Sequence, residues 1–383
     1  MWLTLAANKI LEDRLNDEDH SIADSETTSA EIQNFTLFVS SWNVGGITPP
    51  ANLNMEDLLD TRNNLADIYV LGFQEIVPLN AGNIIVQEST SISMQWNSLI
   101  RASLNMTDAI NQKAEVGENQ KVYPLKTEGS TTSNSPQFEC IISKQMVGIF
   151  ITIWARTNLL PYISHTSVSS VGCGIFGRLG NKGSVSVRFC LHETSFCFVC
   201  SHLASGGNEG DNRERNSNVS QILSRTLFSA DPFYCLPTKI LQHDRVIWLG
   251  DLNYRIDLPE HTTRSLVNDQ QWSTLLQNDQ LKAELREGCT FEGWNEEEIE
   301  FAPTYKYNQD SDDYYGCNNQ KGKKGKTRVP AWCDRIIWFG KGLNQRQYSR
   351  GECKLSDHRP VQAIFTAEVK LQYQSTENFV KMF

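Results

Sequence analysis

The chain lacks any apolar run of the roughly 18 residues a membrane helix needs. Its opening, MWLTLAANKILEDRL, has neither a basic leader nor an apolar stretch of signal-peptide length, and the closing FVKMF carries no prenylation motif. The expected setting is therefore cytoplasmic, with membrane contact only peripheral. Cysteine is thin, 10 in 383 residues and scattered, which excludes a disulfide scaffold and fits a reducing compartment. Cys197 and Cys200 share C-x-x-C spacing, but FCFVC reads as a strand whose alternating faces point the sulfurs apart, so both read as core residues. No Cys-x5-Arg phosphate loop is present. No Walker ending follows Gly172, Gly174, Gly177, Gly180 and Gly183, so that stretch reads as a tight loop letting Lys182 approach a ligand. An excess of positive charge is missing too. With 35 Lys and Arg against 45 Asp and Glu, the net charge is −10, and nucleic acid is not an expected partner. KGKKGKTR is the local exception, with Lys321, Lys323, Lys324, Lys326 and Arg328 close together.

What is present is enough to build a large core: 39% hydrophobic residues, including Trp 9 and Phe 17. One domain of this length is permitted. Residues 1–34 read as a mobile acidic lead-in, 35–368 as the folded domain and 369–383 as a tail. FTLFVSSWNVGG, ADIYVLGFQE, MVGIFITIWAR, SVSVRF, SFCFVCSHL, RVIWLGDLN, AWCDRIIWF and PVQAIF are β-branched or aromatic runs of strand length. Helical spacing appears near 54–64, 92–105, 212–228 and 265–288. Residues 106–140 read as a surface insertion and 308–328 as an irregular loop in which Asp310, Asp312 and Asp313 are solvated. Strands broken by helices in this number predict an α/β protein of two facing sheets with helices outside.

The informative pattern is what ends each strand. Asn43 follows FTLFVSSW, Glu75 follows YVLGFQ, His202 follows FCFVCS, and Asp251 and Asn253 follow VIWLG; SDHRP supplies Asp357 and His358 before the last strand. Singly, such residues are turn chemistry or solvated charges. Together, at one sheet edge, they make a site. Carboxylates, amides and imidazoles with little sulfur suit Mg²⁺, whereas zinc would want more Cys or His.

SWNVGG, FQEIVPLNAGN, GCGIFGRLGNKGSVSV, SHLASG, WLGDLNYRI, FAPTYKY, RVPAWCDRI and SDHRPV follow one another over about 36–366. In these motifs the chain resembles the inositol polyphosphate 5-phosphatases of the endonuclease/exonuclease/phosphatase superfamily, most of all the plant members. WLGDLNYRI with PAWCDRI is specific to those phosphatases; GDLN and SDH alone mark the superfamily.

The resemblance implies a four-layered α/β sandwich, DNase I-like, with two facing mixed β-sheets flanked by helices. It implies Mg²⁺-dependent removal of the 5-phosphate from inositol polyphosphates or phosphoinositide headgroups, by in-line attack of water. Glu75 is then the principal metal ligand, with Asn43 close to metal and phosphate. Asp251 orients or deprotonates the water, Asn253 holds a phosphate oxygen, and His358 contacts the scissile phosphate with Asp334 behind it. His202 adds a donor, and Asp357 belongs to the same catalytic set. Tyr305, Lys306, Lys326 and Arg328 are implied for the 4-phosphate, and Lys182 for a further phosphate. Two other readings stand beside this one: a nuclease or other phosphodiesterase on the same scaffold, and a phosphoinositide-binding scaffold without catalysis.

Overall fold

Apolar residues alternate along β1 (Ile32–Asn43), so one strand feeds two cores: Leu37 and Val39 enter one, Phe38 and Trp42 the other. This periodicity organises the computed structural model, which describes residues 31–62, 65–80, 90–105, 137–174, 177–288, 290–316 and 328–372. Positions 1–30 of the expected lead-in, 106–136 of the expected insertion, Lys321, Lys323, Lys324, Lys326 and 373–383 lie outside the described residues.

β1 sits inside a six-stranded sheet. The sheet's other strands are β2 (Ile68–Gln74), β3 (Phe138–Met146), β4 (Ile149–Arg156), β10 (Leu343–Arg350) and β11 (Val361–Lys370), in the order β10-β11-β1-β2-β4-β3. A second sheet runs in chain order through β5 (Ile163–Gly172), β6 (Gly183–Leu191), β7 (Thr194–His202), β8 (Arg245–Asp251) and β9 (Asp334–Phe339). Each sheet has one parallel pair, β1 with β2 and β7 with β8, among antiparallel neighbours, so both are mixed. Strand pairing reaches from Ile32 to Lys370, wider than the expected 35–368.

The facing sheets share one apolar layer, with Val39, Val70, Ile151 and Phe365 from one side meeting Val187, Phe198, Cys200 and Leu249 from the other. At Gly72 the approach is so close that a Cβ would lie 2.7 Å from Leu249 and 2.9 Å from Cys200. Helices cover the outer faces. α1 (Glu56–Leu59) and α2 (Ser91–Leu104) cover the six-stranded sheet, where Trp96 meets Phe73 at 4.6 Å between ring centroids. α3 (Asp211–Arg225) buries Val219 and Ile222 against the face carrying Cys197 and Val199. The expected four-layered sandwich is thus the observed one. Cys197 and Cys200 occupy opposite faces of β7, as their spacing predicts.

The expected helix at 265–288 is three: α4 (Glu260–Asn268), α5 (Trp272–Leu276) and α6 (Gln280–Glu287). The breaks fall at the Asn-Asp pairs. Gln270 adopts φ 53, and Asp279 leaves the helix to accept the Lys282 N–H as the cap of α6. The expected helix at 54–64 contracts to the single turn of α1. Strands β3, β5 and β10 went unread. No helix among the described residues is long and apolar enough to cross a membrane.

Candidate active site

The parallel pairs decide where the site lies. In the first sheet Asn43 is opposite Gln74, so Glu75, the next residue, leaves the sheet beside Asn43. In the second, Gly183 is opposite His202, His202 opposite Asp251, and Asp251 opposite Asp334, one transverse row across four strands. VIWLGDLN thus ends where it must: Gly250 has φ 151 and approaches Ser201 so closely that a Cβ would stand 2.1 Å from its carbonyl oxygen. That closeness sets Asp251 against β7. Asn253 turns back in the left-handed region at φ 59, and its N–H donates to Asp251 Oδ1 at 3.1 Å.

The ends of both sheets open on one cavity of about 640 Å³. Asn43, Glu75, Lys182, His202, Asp251, Asn253, Tyr305, Lys306, Arg328, Asp357 and His358 all line it. Asp334 lies buried beneath, and Lys326 lies outside the described residues. Asn43 joins the sheets, its Nδ2 donating to Asp251 Oδ2 at 2.9 Å and to Glu75 Oε1 at 3.4 Å. His202 Nε2 stands 3.2 Å from Asp251 Oδ2 and also contacts Lys182 Nζ. The Ser356 hydroxyl donates to the Asn43 carbonyl at 2.7 Å, and the Trp42 indole N–H to the His358 carbonyl at 3.1 Å, anchoring SDH to β1.

His358 Nδ1 lies 2.8 Å from Asp334 Oδ2, which also accepts the Thr304 hydroxyl at 2.7 Å. Burial alone would push the imidazole down, but Asp334, Asp251 and Asp357 outweigh it and raise His358 to about 9. It is cationic at neutral pH. Burial pushes Asp251 up, yet His202, His358 and Lys182 overcome that and hold it well below the carboxylate range. Lys182 goes the other way: burial lowers it to about 8 against the pull of Asp251 and Glu75. Lys306 pairs with Asp357, the neighbour of His358, and Arg328 lines the same space.

Glu75 and Asp251 bring carboxylate oxygens together at the cavity wall, a pair that fits a hard divalent cation; the Asn43 amide turns its nitrogen to both, while its oxygen accepts the Gly45 N–H at 3.0 Å. Asp251, Asp334 and His358 also bring ligand atoms within 4.8 Å of one another. There the His358 ring is already committed to Asp334, so the Glu75 side of Asp251 is the better cation seat.

This rim on paired sheets defines the endonuclease/exonuclease/phosphatase class, and the model of Endonuclease/Exonuclease/phosphatase family 2 matches residues 40–364. Within that class the chain belongs to the inositol polyphosphate 5-phosphatase family. It is 52% identical to the type IV inositol polyphosphate 5-phosphatase 9 of Arabidopsis thaliana, over 96% of this chain and 92% of that one. It is 45% identical to the type I inositol polyphosphate 5-phosphatase 8 of the same plant, over 94% and 76%. Among solved structures it is similar to the inositol polyphosphate 5-phosphatase domain of SPsynaptojanin in complex with inositol (1,4)-bisphosphate and calcium ion. The TM-score is 0.70 at 30% identity, covering 94% of this chain and 89% of that one.

Sequence reasoning missed Arg255, Thr304, Tyr315 and Ser356. Tyr315 and Arg255 line the cavity; Thr304 and Ser356 stand behind it. Thr304 and Ser356 lie inside motifs singled out from the sequence, and counting acceptors on Asp334 and Asn43 is the signal that finds them.

Proposed function

We propose that the protein hydrolyses the 5-phosphate of inositol polyphosphates and phosphoinositide headgroups, with Mg²⁺ as cofactor, as a cytoplasmic enzyme meeting membranes peripherally. The observation that carries this is the make-up of one cavity. Glu75, Asp251, Asn253 and His358 line it together with Lys182, Lys306 and Arg328, cations suited to phosphates that are held and not cleaved. Inositol (1,4)-bisphosphate, bound in the SPsynaptojanin domain, is what remains when a 1,4,5-trisphosphate loses its 5-phosphate.

Glu75 and Asp251, with Asn43 beside them, are where the cation would be held; when bound it supplies charge neutralisation at the phosphate oxygens. Asp251 is ionised, so it orients a water by accepting its hydrogen. Cationic His358 donates Nε2–H to the phosphate while Asp334 accepts its Nδ1–H and holds the ring's orientation. Asn253 spends one Nδ2 hydrogen on the Leu203 carbonyl at 3.2 Å and keeps its other for a phosphate oxygen. Lys306, Tyr305, Arg328 and Lys326 take the 4-phosphate, and Lys182 a further one.

The test is phosphate release from inositol 1,4,5-trisphosphate, from vesicles bearing phosphatidylinositol 4,5-bisphosphate, and from abasic DNA, in Mg²⁺ and in EDTA. Release from the inositides alone, lost in EDTA and reduced at least about 100-fold in Glu75→Ala, is expected. Turnover of DNA, or full activity in the variant, would sink the reading.

A further inference from the structure

Arg255 has none of the roles read from the sequence, yet its guanidinium touches two residues of the cavity lining, Asn253 and Tyr305. Nη2 donates to Asn253 Oδ1 at 2.5 Å, and Nε donates to the Asn253 carbonyl at 3.0 Å. The same planar group lies over the Tyr305 ring, 4.7 Å from its centroid, and that ring lies 4.6 Å from the ring of His358. Gln280 holds the Arg255 backbone from outside: its Oε1 accepts the Arg255 N–H, and its own N–H donates to the Arg255 carbonyl, both at 2.9 Å.

A primary amide can turn over, exchanging acceptor for donor, and nothing in its shape prevents this. A guanidinium has donors only. With Arg255 in place the Asn253 oxygen must face it, and the nitrogen then faces the Leu203 carbonyl and the cavity. Bracketing side-chain and main-chain oxygens of one residue also secures a backbone at φ 59, where a non-glycine residue is uncommon. On its other face the guanidinium limits the freedom of Tyr305, which packs on His358.

We propose that Arg255 is a positioning residue for the hydrolysis: it fixes the Asn253 amide with nitrogen toward the phosphate and, through Tyr305, steadies the His358 ring. One guanidinium thereby registers two phosphate-gripping groups that come from distant parts of the chain. The proposal rests on the 5-phosphatase reading above. A lysine would keep the charge but lose the fork and the flat face.

The full chain is assayed with Mg²⁺ and inositol 1,4,5-trisphosphate as wild type, Arg255→Met, Arg255→Lys, Asn253→Ala and the Arg255→Met/Asn253→Ala double variant, with thermal midpoints measured alongside. Arg255→Met is expected to lower kcat about 30-fold with KM within about twofold. Arg255→Lys should stay within about threefold of Arg255→Met, and the double variant should lose clearly less than the product of the two single losses, because only the route through Tyr305 remains once the Asn253 amide is gone. A raised KM at unchanged kcat would make Arg255 a substrate clamp and overturn the inference. So would losses that multiply in the double variant, or full rescue by lysine. If Asn253→Ala is too slow to measure, the kcat-against-KM split decides alone; if Arg255→Met does not fold, Arg255→Lys takes its place. No turnover by wild type sinks the functional reading, whereas an active wild type with independent losses sinks only this inference.

Discussion

Asp334 shows how much of the chemistry hangs on a single buried oxygen. Its Oδ2 takes both the Thr304 hydroxyl and the His358 ring, and the charge it supplies is what keeps that ring protonated. Because the folded value of His358 is raised from about 6.5 to about 9, its contribution to stability is complete below pH 6.5. That contribution is lost as pH climbs to 9. In metal-free buffer we predict that unfolding free energy falls across this window by at most on the order of 3 kcal/mol. Asp334→Asn should flatten that fall in urea titrations and lower kcat about 100-fold at neutral pH. Asn43, Glu75, His202 and Asp251 could be picked out from the sequence because each stands where an apolar run stops, and His358 because it stands just before the last one begins. Arg255 could not, since an arginine after such a stop ordinarily points to water, and only the positions of Asn253 and Tyr305 give it a task.

Among elements, the strands that escaped notice share a physical cause. β3, β5 and β10 lie at sheet edges, where one side of the strand has no partner; ISHTSVSSVG and LNQRQYSR hold little apolar alternation, and in the more apolar FECIISKQM of β3 an irregularity between Cys140 and Ile142 breaks the period. β10 also carries an irregularity between Gln345 and Gln347, which shifts its period. Interior strands, apolar on both sides, could be located from the sequence, although β11 runs on to Lys370, past the expected PVQAIF. The helix at 92–105 was legible for the same reason, because one stripe of it is covered. Trp96 is fully buried there against Trp42 and Phe73, so Trp96→Ala should cost about 3–5 kcal/mol by urea unfolding. A loss below about 1 kcal/mol would mean that α2 is not a structural layer.

For the molecule as a whole, a net charge of −10 coexists with the cations Lys182, Arg255, Lys306 and Arg328 gathered at the cavity. Attraction of a multiply charged substrate is then local and competes with the surrounding acidity. Raising ionic strength from about 0.02 to 0.3 M should reduce kcat/KM for inositol 1,4,5-trisphosphate about three- to tenfold, mostly through KM. An unchanged value would argue that Lys182, Lys306 and Arg328 do not meet the substrate. The class of fold could be inferred from strand count alone. How the halves meet could not, because register between sheets depends on side-chain volumes in the shared layer, such as the space left by Gly72.

Neither sheet owns the catalytic cavity: Asn43 and Glu75 arrive on one, His202, Asp251 and Asp334 on the other, and the Asn43 amide spans the seam. Turnover is therefore a gauge of how the slabs are aligned. A small sideways slip between them would silence the enzyme while leaving its circular dichroism untouched.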